Sequence, residues 1–358
     1  MSTRDTNDKP AGVGRNRRAT SYDVARLAGV SQSAVSRVFK SGASASKEMR
    51  ERVMQAAEEV GYRPNAIARG LITQRSDMVA VITSRMTNLN FPELLVELTL
   101  AFSKQGIRVL LFTIERESET DLVLDQVLQY RVDGVVSAAM LTREQLAHFE
   151  RAHIPVVFFN RRPSDCEVDV VRCDQVEGER RLVRELGNSG HREFAIISGP
   201  QDSVVSQERT QGALREIREL GLGHPKVVFG DYSYESGIEC FQAIVEGSMP
   251  DAIVAVNDVM AIGAIDAARE HGLHVPNDLS VVGFDGVGAA RFAAYDLTTI
   301  EQPITRMTRA AVEMVLERIE SPAMSNEERV FTGTPVLGSS ARLTPQSSEA
   351  GEVQTTRE

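Results

Sequence analysis

Cysteine is scarce in this chain, and what there is forms no pattern. Cys166, Cys173 and Cys240 have neither metal-ligand nor redox spacing, and an odd, sparse count fits a reducing cytoplasm. No apolar run approaches the ~18 residues that a membrane span requires, and the N-terminus lacks a signal-peptide core. A soluble cytoplasmic protein with no membrane partner is expected. The histidines, His148, His153, His191, His224, His271 and His274, are scattered; the last two flank Gly272 with no carboxylate at ligand spacing. There is no P-loop, no Gly-x-Gly-x-x-Gly at a strand–helix turn and no Gly-x-Ser-x-Gly elbow. No nucleophile–base pair stands out either. Each absence removes a class of enzyme, so no catalytic residue, metal or cofactor is expected.

What is present is globular in composition, 42% hydrophobic and 25% charged, with a net charge of -10. The charge is unevenly spread. Residues 1–75 hold 14 Lys/Arg against 7 Asp/Glu, and the remainder holds 26 against 43. A basic head on an acidic body implies that only the head meets phosphate.

Residues 20–40 read as two short helices joined by a tight turn. Thr20 or Ser21 is positioned to cap the first, whose inner face is Val24, Ala25 and Ala28. Gly29 permits the left-handed turn. Ser31 caps the second helix, with Ala34, Val35 and Val38 inward and Gln32, Ser33, Ser36 and Arg37 outward. A short second helix with polar groups at its start is what a helix-turn-helix needs to reach base edges in a major groove. A third amphipathic helix follows over 47–60, with Met49, Val53, Ala56, Ala57 and Val60 apolar and Gly61 as its stop. Residues 1–19 read as a disordered basic tail. Beyond Pro64, Asn65 caps a helix of one or two turns that is too short to be stable alone, and Leu71 sits at its end with no core of its own to join.

From residue 78 onward strands and helices alternate. Strands are expected at 78–83, 108–113, 134–138 and 156–159, with helices at 91–105, 118–130 and 143–151. A second set is expected to begin with strand 168–172 and to run on through strands 194–198, 226–229, 252–256 and 279–284. Its helices are 176–187, 207–220, 234–245 and 258–271. Helix 304–319 then crosses back. Two such sets mean two doubly wound lobes with mostly parallel sheets, with ligand binding at the carboxyl ends of strands, in the cleft between them. The expected fold is therefore α/β: a three-helix head at 20–64, a linker at 65–76, and a two-lobed core at 77–343. Lobe 1 is placed at 77–162 plus 303–332 and lobe 2 at 163–302 plus 333–343, with a loose tail at 344–358.

The order of parts, with these residues, resembles the LacI/GalR family of bacterial transcription regulators. The marks are YDVA at 22–25, AGVS at 28–31, VSR at 35–37, GYRPN at 61–65 and ARGL at 68–71. GH at 190–191, GP at 199–200, ND at 257–258, GFD at 283–285 and LTTI at 297–300 continue the likeness, which covers residues 20–343. Each is weak alone; all of them in order are specific. The resemblance implies a core like that of periplasmic binding proteins, and a homodimer at the nucleoid that represses from a palindromic operator in double-stranded DNA. The DNA-facing set it implies is Tyr22, Ser31, Gln32, Ser33, Ser36, Arg37, Lys40, Asn65, Ala68 and Leu71. In it Gln32, Ser33 and Arg37 read bases, and Leu71 wedges into the minor groove. Ala34, Lys40 and Met49 depart from the usual Thr, Asn and Thr, which bears on affinity more than on whether DNA is bound.

In the cleft, Arg209 and Asp285 both fall at the carboxyl side of a strand, where together they can donate to and accept from vicinal hydroxyls. Asn257 adds an amide with donor and acceptor. The family places the effector at these positions, with Phe91, Phe158 and Tyr232 as walls. Ser203 and Val205 stand where the purine-sensing branch has Arg and Thr, which argues against a nucleobase and leaves a sugar or sugar derivative. Nothing after Arg342 is like the leucine-rich tetramerising helix of one branch, so dimers are expected. A transport binding protein would share the two lobes but not the helix-turn-helix.

Overall fold

The computed structural model describes residues 19–39, 44–63, 75–84, 90–114, 120–163 and 165–344. They fall into two compact units, Met1–Ser76 and Asp77–Glu358. The segments 1–18 and 345–358, Lys40, and the linker helix with Asn65, Ala68 and Leu71 lie outside the described residues.

In the first unit, α1 is Ser21–Ala28, α2 Gln32–Val38 and α3 Lys47–Glu59. At the start of α1 the carboxylate of Asp23 accepts from both the backbone N–H and the hydroxyl of Thr20, at 2.9 and 2.8 Å, so here the Thr20 hydroxyl donates to a side chain. Gly29 takes φ +63°, and Val30 N–H closes the turn on the Ala25 carbonyl at 3.0 Å. Ser31 Oγ accepts from the Ala34 N–H at 3.2 Å and Ser46 Oγ from the Met49 N–H at 3.2 Å. Val24, Val35 and Val53, one from each helix, are fully buried at the centre. Each contributes on the order of 1.5–3 kcal/mol of burial, and Phe39 meets Tyr62 edge to face at the rim.

The second unit contains two six-stranded sheets. In chain order its elements are β1 Met78–Ser84, α4 Asn90–Lys104, β2 Arg108–Ile114, α5 Thr120–Gln129, β3 Gly134–Ser137, α6 Arg143–Arg151, β4 Val156–Phe159, β5 Asp169–Cys173 and α7 Gln175–Asn188. Then come β6 Phe194–Ser198, α8 Val204–Glu219, β7 Lys226–Phe229, α9 Tyr234–Val245, β8 Ala252–Ala255, α10 Asp258–Glu270, β9 Ser280–Asp285, β10 Thr298–Glu301, α11 Ile304–Glu320, β11 Glu328–Phe331 and β12 Thr334–Val336. The sheet orders are β11-β5-β4-β3-β1-β2 and β12-β10-β9-β8-β6-β7. Among the described residues the strand pairs are parallel save β10 with β12. Strand side chains alternate with period two. Val79 and Val81 face α4 and α11 through Leu98, Phe102, Met307 and Val315, whereas Ala80 and Ile82 face α5 and α6 through Leu124, Val127 and Phe149. Burial on both faces is why these strands read as continuous apolar runs.

Three expectations are corrected. Strand β5 does not open the second lobe: it pairs with β4 and β11 in the first sheet, so the lobes divide after Cys173 rather than at residue 163. Helix α8 starts at Val204, not at 207, because the Ser203 hydroxyl caps it. Strands β10, β11 and β12 were not expected at all. They matter, because the chain passes between the sheets after β5, after β10 and between β11 and β12. These passages are packed together. Asp174 N–H bonds the Phe331 carbonyl at 2.8 Å, and a Cβ on Gly333 would come within 2.4 Å of Ile300 Cγ2.

Candidate functional site

In the head, the outward face of α2 is Gln32, Ser33, Ser36 and Arg37, all exposed, and Ser31 beside them is exposed too. Tyr22, on α1, is 73% exposed. Gln32 Nε2 donates to Ser21 Oγ at 3.3 Å, and Ser31 and Ser33 share a hydroxyl contact at 2.9 Å. Arg50 of α3 donates to the Val38 carbonyl at 3.1 Å, holding the end of α2. The result is a capped helix end with donors and acceptors turned to solvent.

In the core, five side chains close a ring of hydrogen bonds where the lobes join. Arg209 donates through Nε to Gln175 Oε1 at 2.7 Å and through Nη2 to Asp285 Oδ1 at 2.8 Å. Gln302 Nε2 donates to the same Asp285 oxygen at 2.7 Å. Asn160 Nδ2 donates to Gln302 Oε1 at 2.8 Å, and Asn160 Oδ1 accepts from Gln175 Nε2 at 3.3 Å and from the Cys173 N–H at 2.8 Å. Arg209 also donates to the Val256 carbonyl at 2.6 Å and stacks on the Phe284 ring at 3.8 Å. Asn160 follows β4 with φ +51°, a conformation asparagine tolerates. Asp285 ends β9 with φ +121°, a strained position of the kind that gathers at functional sites.

Acidic groups are in excess around the ring. Asp258, fully buried on α10, accepts from the Val287 N–H at 2.8 Å and from the Thr299 hydroxyl at 2.5 Å. Burial, then the charge of Asp285, nevertheless pushes its pKa up to about 8. Glu179, one turn along α7 from Gln175, is fully buried, and neither carboxyl oxygen has a hydrogen-bond partner among the described residues. Burial holds it well above the usual carboxylate range and outweighs the opposing pull of Arg209.

The expected cleft residues divide. Arg209 and Asp285 are brought into one buried ion pair, both within the second lobe. Tyr232, half-buried at φ +75°, lays its ring on Gly199 and shares a hydroxyl contact with Ser203 at 2.7 Å. Ser203 caps α8, and Val205 is buried behind it. Asn257 is not the free amide expected: its Oδ1 caps α10 on the Met260 N–H at 3.0 Å and its Nδ2 holds the Tyr232 carbonyl at 3.2 Å. Phe158 is no cleft wall; it is fully buried between strands and helices of the first lobe with Ile82, Leu124 and Phe149. Phe91 falls in α4, where only its backbone is described. The residues missed were Asn160, Gln175 and Gln302. Gln175 and Gln302 stand at lobe crossings, where a polar residue between a strand end and a helix start was the available signal.

A helix-turn-helix head followed by a two-lobed core with a polar ring at the lobe junction defines a class, the ligand-responsive DNA-binding regulators. Residues 20–65 match the family model for bacterial regulatory proteins of the lacI family, and residues 183–341 match that for the periplasmic binding protein-like domain. The transcriptional repressor PurR of Pasteurella multocida is 32% identical over 89% of this chain and 97% of its own. A lac repressor dimer, solved bound to operator and the anti-inducer ONPF, is similar with a TM-score of 0.83 at 27% identity, over 92% of this chain and 100% of that one. The transcriptional regulator CelR, solved in complex with cellobiose, matches with a TM-score of 0.70 at 28% identity, over 90% of this chain and 100% of that one. The chain belongs to the LacI family: it is a DNA-binding transcriptional regulator with an effector-binding core.

Proposed function

We propose that the chain is a repressor that binds a palindromic operator as a homodimer and responds to a sugar or sugar derivative held between its lobes. The observation that carries the effector half is the Asn160–Gln302–Asp285–Arg209–Gln175 ring. Amides, a carboxylate and a guanidinium at one place both donate and accept, which suits a polyol and no purely apolar ligand. The relatives solved with cellobiose and with an operator support the same reading. In the head, Gln32, Ser33 and Arg37 contact base edges, and Leu71 is assigned its minor-groove role from the sequence. The ring joins residues of both lobes, so a ligand that inserts into it alters lobe closure. A coupling of about 1–3 kcal/mol to operator affinity makes a working switch.

Capture of source-genome fragments by the purified protein at near-physiological salt, with Leu71→Ala alongside, tests the DNA half. A few palindromic sites enriched by the natural chain and lost by the variant support it; no enrichment, with and without metabolite extract, refutes it. Adjacent genes then nominate sugars for calorimetry. A sugar that binds in an Arg209-dependent way and leaves operator affinity unchanged sinks the switch.

A further inference from the structure

Arg161 follows Asn160 at the carboxyl end of β4 and belongs to no ion pair among the described residues. Its guanidinium donates through Nη1 to the carbonyl of its own neighbour, Asn160, at 2.8 Å, and is half-buried. The charges that act on it most strongly belong to the opposite lobe: Tyr232, Arg209, Glu208 and Asp285. Burial is the largest influence and pushes its pKa down, as does the charge of Arg209; Tyr232, Glu208 and Asp285 oppose this. Arg209 and the other nearby arginines are already matched: Arg209 with Asp285, Arg172 and Arg162 with Glu328. Glu208, an acid of the second lobe whose charge acts on Arg161, makes no ion pair with it among the described residues, and burial raises its carboxyl above the usual range.

A guanidinium cannot shed its proton to escape desolvation. A half-buried one without a counter-charge therefore carries a cost until an anion meets it, and its planar fork suits a carboxylate or phosphate in bidentate geometry. We infer that Arg161 receives an anionic group of the effector, so that the ligand is a polyhydroxylated acid, a sugar carboxylate or a sugar phosphate monoester. This rests on the interlobe reading above and narrows it. The acid group lies against Arg161 on the first lobe, and the hydroxyls reach Glu208 and the Arg209–Asp285 pair on the second. An acid bridging the two sides gains differential affinity for the closed arrangement, which a ligand needs to shift a conformational equilibrium.

The test uses the full-length protein, with thermal shift and calorimetry as readouts. The probes are inorganic phosphate, gluconate, glucuronate, glucose 6-phosphate and glucose. The variants are Arg161→Gln, and Arg162→Gln as a neighbouring-cation control. Inorganic phosphate is expected to stabilise the natural chain and the control at matched ionic strength, and Arg161→Gln much less. At least one hydroxylated acid is expected to bind more tightly than glucose, with a loss of about ten- to a hundredfold in Arg161→Gln; which acid responds separates carboxylate from phosphate. Equal phosphate responses in the natural chain and Arg161→Gln overturn the inference, as does the lack of any response in the natural chain. Glucose binding equal to that of the acids, and indifferent to Arg161, overturns it while leaving the sugar reading intact. Arg161-dependent phosphate binding with no polyol preference keeps Arg161 as an anion subsite and overturns the polyhydroxylated ligand together with the sugar reading.

Discussion

Asn160 and Gln302 are 142 residues apart in the chain and hydrogen-bond at 2.8 Å, linking the residue just past β4 in the first lobe to a residue at the chain passage after β10. The bond has a second half: Gln302 also holds Asp285, so one amide ties the first lobe to the acidic member of the ion pair in the second.

Replacing Gln302 with Leu breaks the ring at that amide. One side leaves Asn160 without its acceptor and the other leaves Asp285 with one donor fewer. A loss of about 1–3 kcal/mol is expected, read as a lower midpoint in urea unfolding. The effector-dependent change in operator affinity should shrink more than operator affinity itself.

Arg209→Met should cost more. It leaves the Asp285 carboxylate buried beside Asp258 with its cation gone, and breaking a buried pair in this way costs about 3–5 kcal/mol. Calorimetric unfolding would show it, and effector binding should fall below detection. The double variant Arg209→Met/Asp285→Leu should recover part of the stability and none of the binding.

Glu179 predicts the opposite sign. Its buried carboxyl has no hydrogen-bond partner, so Glu179→Met should stabilise the protein by about 1–2 kcal/mol. The gain should grow as pH rises, because the unfolded chain ionises this group while the folded one keeps its proton. A variant less stable than the natural chain at every pH would show that the carboxyl is satisfied in solution.

Asp258 gives a pH window. With its folded pKa up to about 8, the native state binds this proton more tightly than the unfolded chain does. Its contribution is full below about pH 4 and is lost progressively up to about pH 8. Asp258→Asn should flatten that part of the stability–pH curve measured by urea unfolding, and an unchanged slope would contradict the assignment.

In the head, Arg37→Ala should cost about 1–3 kcal/mol of discrimination at one base pair of each half-site, while Arg26→Ala, whose exposed guanidinium pairs with Asp23, should leave sequence preference alone. Binding-site selection with the two variants would separate them.

The alternation of strands and helices was legible because parallel strands covered on both faces are unbroken apolar runs and the helices between them are amphipathic. Arg209 and Asp285 stood out as candidates because both fall at the carboxyl side of strands, Asp285 as the last residue of β9 and Arg209 on the helix that follows β6. What escaped was sheet membership and short polar strands. Nothing local in Asp169–Cys173 says whether it closes one sheet or opens the next; its partners β4 and β11 decide that, and β11 lies 155 residues further on. Thr298–Glu301 has three of its four side chains polar, and its two Thr hydroxyls are accounted for by Asp258 and Gly338 only once the chain is folded. Asn160, Gln175 and Gln302 carry no motif, since an amide becomes a ring member only through the company the crossings give it. Phe158 misled for the converse reason: a strand-end aromatic can face inward as easily as toward a cleft.

The buried ion pair of Arg318 with Asp169, two bonds of 2.6 Å, has a mechanical consequence. It fastens the strand that leaves the first lobe to the helix that re-enters it, and Arg318 also grips the carbonyls of Met324 and Ser325 ahead of β11. All three chain passages are thereby clamped on the first-lobe side. The passages themselves lie beyond this clamp, around Asp174, Gln302 and Gly333. Gln302 belongs both to the ring and to one of these passages, and Gln175 follows directly on another, so the ring and two of the three links between the lobes share one stretch of backbone.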